Sequence, residues 1–77
     1  MTLDMLKKGQ IATIKKINAD MVLKDRLLSF GIMQDESIEL KTHSLAKNTF
    51  EVQVGSTLVA LREEEAKKIE VKITNNF

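Results

Sequence analysis

After residue 35 the apolar side chains fall at every second position, and this period of two is what most constrains the fold. The apolar members of the alternating runs are Ile38 and Leu40, then Phe50, Val52 and Val54, and finally Ile69, Val71 and Ile73. Because successive side chains of a strand point to opposite faces, each run predicts a β-strand with one buried face. Gly55 and Ser56 form a tight turn, and TLVALR after them is the returning strand of a hairpin.

An earlier strand is predicted in the segment that follows Gly9, where β-branched residues are concentrated. Its pattern is mixed, because Ile11, Ile14 and Ile17 are spaced by three residues, as they would be in a helix. A β-bulge near Lys15 would insert one extra residue and reconcile this spacing with a strand. We therefore expect a bulged or strongly bent first strand.

One helix is predicted after the first strand, over residues 21–30. Its inward stripe at helical spacing consists of Leu23, Leu27 and Phe30. Asp20 precedes it as an N-cap, since its carboxylate can accept from an exposed amide of the first turn. Gly31 follows it at the position of a left-handed C-terminal cap. The segment EEEAKK predicts a further helical turn before the last strand, with acidic residues first, as the helix dipole favours.

These elements predict a mostly β fold in one domain of residues 1–77, with a frayed tail from about residue 74. Their order is strand, helix, three strands, short helical turn and strand. Five short strands in 77 residues cannot form a two-layer sandwich of ordinary size. They suit a small barrel whose interior is filled by side chains.

Composition argues against several kinds of functional site. The chain has no Cys and a single His, so we expect neither a metal site nor a bound cofactor. His43 is predicted to be exposed on a strand, and no catalytic residue is assigned, because no nucleophile and base are placed together. The acidic groups Asp35–Glu36 and Glu63–Glu65 are interpreted as solvated surface.

The charge balance and the aromatic content narrow the range of partners. Twelve Lys and Arg against eleven Asp and Glu leave a formal charge of +1, which disfavours nucleic-acid binding. Trp and Tyr are absent, so the aromatic groove that binds proline-rich peptides is not expected. No apolar run approaches the roughly 18 residues that a membrane span requires. We therefore expect a cytoplasmic protein that does not insert into a membrane, with its oligomeric state left open.

The outward face of the helix is the candidate partner-binding surface. Met21 and Leu28 lie seven residues apart and therefore share the side opposite the inward stripe. Aligned exposed apolar residues are typical of a docking surface. The turn after the helix would extend this surface through Met33 and Asp35. The alternative interpretation is that the segment HSLAKN folds over Met21 and Leu28 and buries them.

The chain resembles the FeoA family of ferrous iron transport proteins over nearly its whole length, from about residue 3 to 71. The matching pieces are Gly9, Arg26–Leu27 with Gly31–Ile32, and Ala60–Leu61–Arg62 with Ala66, Ile69 and Val71. The family commonly has Pro-Gly in the turn after the helix, where this chain has Gln34–Asp35. It also often has prolines in the loop after the second strand, which reads HSLAKNTF here.

The resemblance implies a small SH3-like barrel, a cytoplasmic location and no catalytic activity. It also implies a partner, because FeoA proteins are accessories of FeoB, the membrane transporter of ferrous iron. On this interpretation the protein acts by protein-protein contact with the cytoplasmic side of a FeoB-type transporter. Similar domains end some metal-dependent transcriptional regulators, so the alternative is a stand-alone SH3-like interaction module related to that C-terminal domain.

Overall fold

Five antiparallel strands form one curved sheet in the computed structural model, which describes residues 1–75. The strands are β1 (Ile11–Ile17), β2 (Ser37–Ser44), β3 (Thr49–Val54), β4 (Thr57–Arg62) and β5 (Ile69–Ile73). Helix α1 (Met21–Ser29) follows β1, and helix α2 (Glu63–Ala66) precedes β5. In the sheet the order is β4-β3-β2-β1-β5, so the last strand returns to pair with the first. The predicted strands, the helix and the short helical turn are therefore all confirmed.

The predicted bulge in β1 is present. Along β5, Ile14 pairs with Val71 and Lys16 pairs with Glu70, so Lys15 is the extra residue between the two pairs. The alternation of faces is broken there, and Lys15 and Lys16 are both exposed. The bulge thus keeps Ile14 and Ile17 against the core while it presents two consecutive lysines to solvent.

A second bulge, in β2, was not predicted. The register with β3 shifts between Leu40 and Thr42, which leaves Thr42 exposed rather than on the buried face that simple alternation implies. Beyond the shift His43 is opposite Phe50, and their rings stack with centroids 4.0 Å apart. The single imidazole is exposed, as predicted, and it also covers an aromatic side chain of the core.

Helix α1 begins and ends as its capping residues indicate. The Leu23 N–H donates to the Asp20 carboxylate over 2.9 Å, so Asp20 is the N-cap. The helix ends at Ser29, and Gly31 takes a φ of +87°, which side chains disfavour and glycine accepts. Of the predicted inward stripe, Leu27 is completely buried, whereas Leu23 and Phe30 pack against the core but remain partly exposed.

The segment before β1 contributes to the core in a way that the alternation pattern did not indicate. A short 3-10 helix at Leu3–Met5 places Leu3 in the interior, and Leu6 is buried beside it. The residues before that helix lie along the outer edge of β5. The Val71 N–H donates to the Met1 carbonyl oxygen over 2.8 Å, and Thr2 forms a β-bridge with Glu70.

Only the first two residues of the predicted frayed tail can be described. The Thr74 N–H donates to the Ile11 carbonyl oxygen over 2.8 Å, and the Ile11 N–H donates to Asn75 Oδ1 over 2.6 Å. These two residues are therefore attached to the start of β1. The rest of the predicted tail, residues 76–77, lies outside the described residues.

The interpretation of Glu63–Glu65 as solvated surface is wrong for Glu65. This side chain is buried, with the residue only 8% exposed, and it forms an ion pair with Arg26 of α1. Its other oxygen accepts from the Arg62 N–H over 2.9 Å, at the start of α2. A carboxylate that satisfies both a guanidinium and a backbone amide can be buried at tolerable cost. Glu65 therefore connects the two helices.

Candidate partner-binding surface

Helix α1 presents an uncovered apolar face, as the sequence predicted. Met21 is 78% exposed and Leu28 is 52% exposed. The alternative, in which the segment HSLAKN buries both residues, is therefore wrong, and Leu45 of that segment is itself 84% exposed. Asp20 fixes the start of the helix and Leu27 anchors its other face, so the outward direction of Leu28 follows from the local sequence.

A cleft of about 470 Å³ lies beside Leu28, between α1, the end of β1 and the turn after the helix. The residues that line it are Lys16, Ile17, Lys24, Asp25, Leu28, Ile32, Met33 and Gln34. Its apolar part comes from three separate segments of the chain, and its charged groups lie on β1 and α1. An arrangement with an apolar centre and charged groups around it is typical of a protein-binding surface.

Two of the four candidate residues meet at this cleft and two do not. Leu28 and Met33 both line it. Met21 lies on the same face of α1 but outside the lining, and Asp35 is exposed in the neighbouring turn. The sequence alone could not show that Lys16 and Ile17 of β1 complete the cleft, because that proximity depends on how α1 folds back over the strand.

The turn that carries Asp35 is firmly attached to β1. The Glu36 N–H donates to the Met33 carbonyl oxygen over 3.2 Å and closes the turn. The Asp35 N–H donates to the Ile14 carbonyl oxygen over 2.8 Å. Asp35 itself takes a φ of +73°, in the left-handed region. The resemblance to the FeoA family implies glycine at this position, and a positive φ is a conformation that glycine adopts without steric cost.

Replacing Asp35 by glycine should raise the free energy of unfolding by about 0.5–1 kcal/mol, because glycine adopts a positive φ without the steric cost paid by a side chain. Gln34→Gly is the matched control, since the backbone of Gln34 is not in the left-handed region. The control should lower stability through the entropy of the unfolded chain. Thermal melts of both variants test this prediction. An equal loss of stability in the two would mean that the positive φ of Asp35 carries no steric cost.

Other exposed apolar side chains lie away from the cleft. Val22 on α1, Leu45 in the loop between β2 and β3, and Leu58 on β4 are all more than half exposed. Neither Leu45 nor Leu58 lines the cleft beside α1. Scattered apolar residues of this kind are normal on a protein surface. They provide control positions for mutations of the cleft.

Two other kinds of feature, a metal-binding cluster and a membrane-spanning helix, are not found within residues 1–75. No three His, Asp or Glu side chains come together there in a way that could hold a metal ion. In the same part of the chain, neither helix has the length and apolar character that crossing a bilayer requires.

Comparison with known proteins identifies the family. The family model described as the FeoA domain matches residues 1–73. The chain is 47% identical over 74 residues to a Campylobacter jejuni protein that bears the name Fe(2+) transport protein A. The alignment covers 95% of this chain and 99% of that protein.

Solved structures show the same fold. The FeoA protein from Chlorobium tepidum matches with a TM-score of 0.90 and 25% identity, over 97% of this chain and 71% of that one. A manganese-dependent transcriptional repressor matches with a TM-score of 0.87 and 23% identity, over 94% of this chain and 40% of its own. The predicted mostly β, SH3-like fold is confirmed by these likenesses. Because the family model spans residues 1–73 and the Campylobacter protein aligns over nearly its full length, the chain belongs to the FeoA family.

Proposed function

We propose that the protein is a non-enzymatic cytoplasmic accessory of ferrous iron transport, which acts by contact with a FeoB-type transporter. The observation that carries this proposal is the uncovered cleft between α1 and β1, whose lining includes the exposed side chains of Leu28 and Met33. The iron connection is supported by the relative named for Fe(2+) transport. We propose the cytoplasmic side of the transporter for this contact, as the resemblance to the FeoA family implies.

The physical basis of the contact is burial of apolar surface. Leu28 and Met33 remain 52% and 39% exposed in the free protein, so docking can remove more of each from water. Burial stabilises a complex by about 25 cal/mol for each Å² of apolar surface. Binding energy in such interfaces concentrates in a few central anchors. We assign Leu28 as the main anchor, because it is a large aliphatic side chain on a capped helix.

A second candidate function is favoured by the likeness to the manganese-dependent repressor, whose chain contains the same fold. In this alternative the protein is a stand-alone interaction module whose partner is a regulator rather than a transporter. A pull-down distinguishes the two candidate functions by the partner that the tagged protein retains. A tagged protein should retain detergent-solubilised FeoB under the first and a metal-dependent regulator under the second.

Leu28→Asp should weaken binding to the transporter by about 2 kcal/mol or more, roughly thirtyfold, because a charge then replaces an apolar anchor. The fold should persist, since Leu28 is half exposed and Leu27 holds the helix to the core. Circular dichroism melts of the variant, together with titration of solubilised transporter, measure the two effects separately.

Leu45→Asp is the matched control. Leu45 is an exposed leucine in the loop between β2 and β3 and does not line the cleft. The same substitution there should leave both the melting temperature and the affinity nearly unchanged. A folded Leu28→Asp protein with the affinity of the wild type would contradict the docking proposal. It would direct attention to the segment that contains Leu45.

A further inference from the structure

We infer that two copies of this protein associate through the free edge of β4, so that the sheet of one molecule continues into the sheet of the other. The inference does not rest on the proposed function, because neither Leu58 nor Ala60 of β4 lines the cleft beside α1. It depends on three observations: the unpaired backbone groups along this edge, an exposed leucine on it, and a recess that adjoins it.

The outer edge of β4 carries backbone groups that the sheet does not use. Val54 and Thr57 flank the two-residue turn of the hairpin, so they exchange hydrogen bonds, and from there every second residue of β4 faces β3. The amides and carbonyls of Leu58 and Ala60 therefore point away from β3. Among the strands of residues 1–75, β4 pairs with β3 alone, so no second ladder occupies these groups.

Hydrogen bonding also sets the limit of this free segment. The Arg62 N–H points the same way, two positions beyond Ala60, but it donates to Glu65 Oε1 over 2.9 Å. At its other end the segment is bounded by the hairpin turn. Leu58 and Ala60 are thus the two positions at which another strand can form hydrogen bonds with β4.

The sequence of β4 has none of the features that commonly prevent strand addition at an edge. Residues 57–61 include no charged side chain, and the chain has no proline. The register of β4 with β3 is regular throughout, without a bulge. The edge is therefore flat and uncharged over the segment in which its backbone groups are free.

A recess of about 340 Å³ adjoins this edge on the outer face of the sheet. Thr42, Glu51 and Ala60 form one row across three strands, and all three line the recess. Ala60 is the end of this row, and its small side chain leaves the recess open toward the edge. The surface of the recess is mostly apolar, and its lining is completed by Ser44, Lys47 and Thr49.

Leu58 lies on the same face of β4 as Ala60, because the two residues are two positions apart. It is 57% exposed and does not line the recess of its own molecule. A single exposed leucine is ordinary, as it is for Leu45. Leu58 differs because it stands on a free strand edge, beside a recess that its own side chain does not fill.

Antiparallel pairing of two β4 strands about Val59 brings these features together. In this register Leu58 of each copy is opposite Ala60 of the other, and each such pair exchanges both of its hydrogen bonds. Each Leu58 then lies at the open end of the recess of the other molecule. A two-fold interface requires that a surface be complementary to itself. The leucine and the recess meet that requirement, which points to a second copy rather than to a foreign strand.

The pairing brings no like charges together. The two copies of Glu51 are separated by three strand spacings, about 14 Å or more, and the two copies of Arg62 lie at opposite ends of the joint. One pair of short strands buries less than the ~1,200–2,000 Å² of a stable interface. We therefore expect a weak dimer, which forms at protein concentrations on the order of 100 µM.

Sedimentation equilibrium from about 10 µM to about 1 mM measures this association. The mean mass of the wild type should rise toward that of a dimer over the range. Leu58→Asp should weaken the association at least about tenfold, because a carboxylate is then buried against the neighbouring strand. Leu45→Asp is the matched control. It places the same charge on an exposed leucine outside β4, and it should associate like the wild type.

Ala60→Leu tests the recess separately. The larger side chain closes the open end of the recess and excludes Leu58 of the second copy, so association should weaken about threefold or more. Circular dichroism melts establish that each variant is folded, and if Leu58→Asp unfolds, Ala60→Leu decides. A wild type that stays monomeric at about 1 mM overturns the inference. Dimers that both substitutions leave unchanged do so too.

Single cysteines test the register, since the chain contains none of its own. Facing residues of a non-hydrogen-bonded pair have Cα atoms about 4.5 Å apart, within the reach of a disulfide. Val59→Cys should therefore give covalent dimers on mild oxidation. Ala60→Cys is the matched control, because it is more exposed but lies about 8 Å from its counterpart. Faster cross-linking of Ala60→Cys would overturn the pairing about Val59.

A strand of another protein is the competing occupant of this edge. If the protein stays monomeric while its Leu58 and Ala60 amide resonances shift on addition of solubilised transporter, self-association is overturned and the edge belongs to that partner. Leu28→Asp, which alters the cleft beside α1, should dimerise like the wild type. A failure of the docking proposal would therefore leave the dimer of β4 strands unaffected.

Discussion

Leu27→Ala should lower the free energy of unfolding by about 2–5 kcal/mol, the range observed when a large core side chain is truncated. Leu27 is the one residue of α1 that is completely buried, so its side chain anchors the helix to the core. The free energy of unfolding of native proteins is only about 5–15 kcal/mol, so a loss of this size removes a large part of it. The variant should therefore be largely unfolded under mild denaturing conditions.

Urea titration followed by circular dichroism measures this change. Leu45→Ala is the control, because it removes the same atoms from a side chain that is 84% exposed. Its midpoint should stay close to that of the wild type. A midpoint for Leu27→Ala that equals the control would mean that α1 does not use this face to contact the core.

Glu65→Ala should lower the free energy of unfolding by about 1.5–3 kcal/mol, because hydrogen bonds to charged groups contribute about this much. The substitution removes the ion pair with Arg26 and leaves the Arg62 N–H without its acceptor. The side chain of Arg26 is 49% exposed, so water screens the ion pair, and we attribute the greater part of the loss to the backbone acceptor.

Two comparisons test this division. Glu64→Ala is the control, since Glu64 is the neighbouring carboxylate and its side chain is 73% exposed; it should change stability little. Arg26→Ala should cost less than Glu65→Ala, because Glu65 then keeps the Arg62 amide as a donor. A double-mutant cycle between Arg26 and Glu65 isolates the ion pair. Equal melting temperatures for Glu64→Ala and Glu65→Ala would contradict the structural role of Glu65.

Features that depend on neighbouring residues were predictable from the sequence. The bulge in β1 follows from the conflict between β-branched residues and isoleucines three positions apart. The start of α1 follows from Asp20, whose side chain accepts a hydrogen bond from the first turn of the helix. Its end follows from Gly31, whose backbone can take the positive φ that ends the helix. In each case the residues that interact lie within four positions of one another, so the local sequence pattern is enough to predict the feature.

Features that depend on distant residues were not predictable in the same way. Arg26 and Glu65 are 39 positions apart, and the acidic run around Glu65 resembles any solvated helix start. Leu3 is buried because the segment before β1 folds against the barrel, which no local periodicity indicates. The bulge after Leu40 leaves no trace in the pattern, because Lys41 and Thr42 are both compatible with regular alternation.

In the candidate site, too, features set by neighbouring residues were predictable and features set by distant residues were not. The helical period was sufficient to place Leu28 outward, and the position of Met33 just after the helix brought it to the same cleft. Met21 shares the face of α1 but lies outside the cleft, because seven residues separate it from Leu28 along the helix axis. Lys16 was not identified, since its place beside Lys24 depends on how a strand and a helix pack.

The contact between the first residues and β5 has a consequence for the behaviour of the protein in concentrated solution. An open sheet edge is a template on which another chain can add a strand and begin aggregation. At β5 this template is occupied, because Met1 accepts from the Val71 amide and Thr2 bridges Glu70. The outer edge of β5 is thus already paired at these two positions, and a second molecule would have to displace residues 1–2 to extend the sheet there.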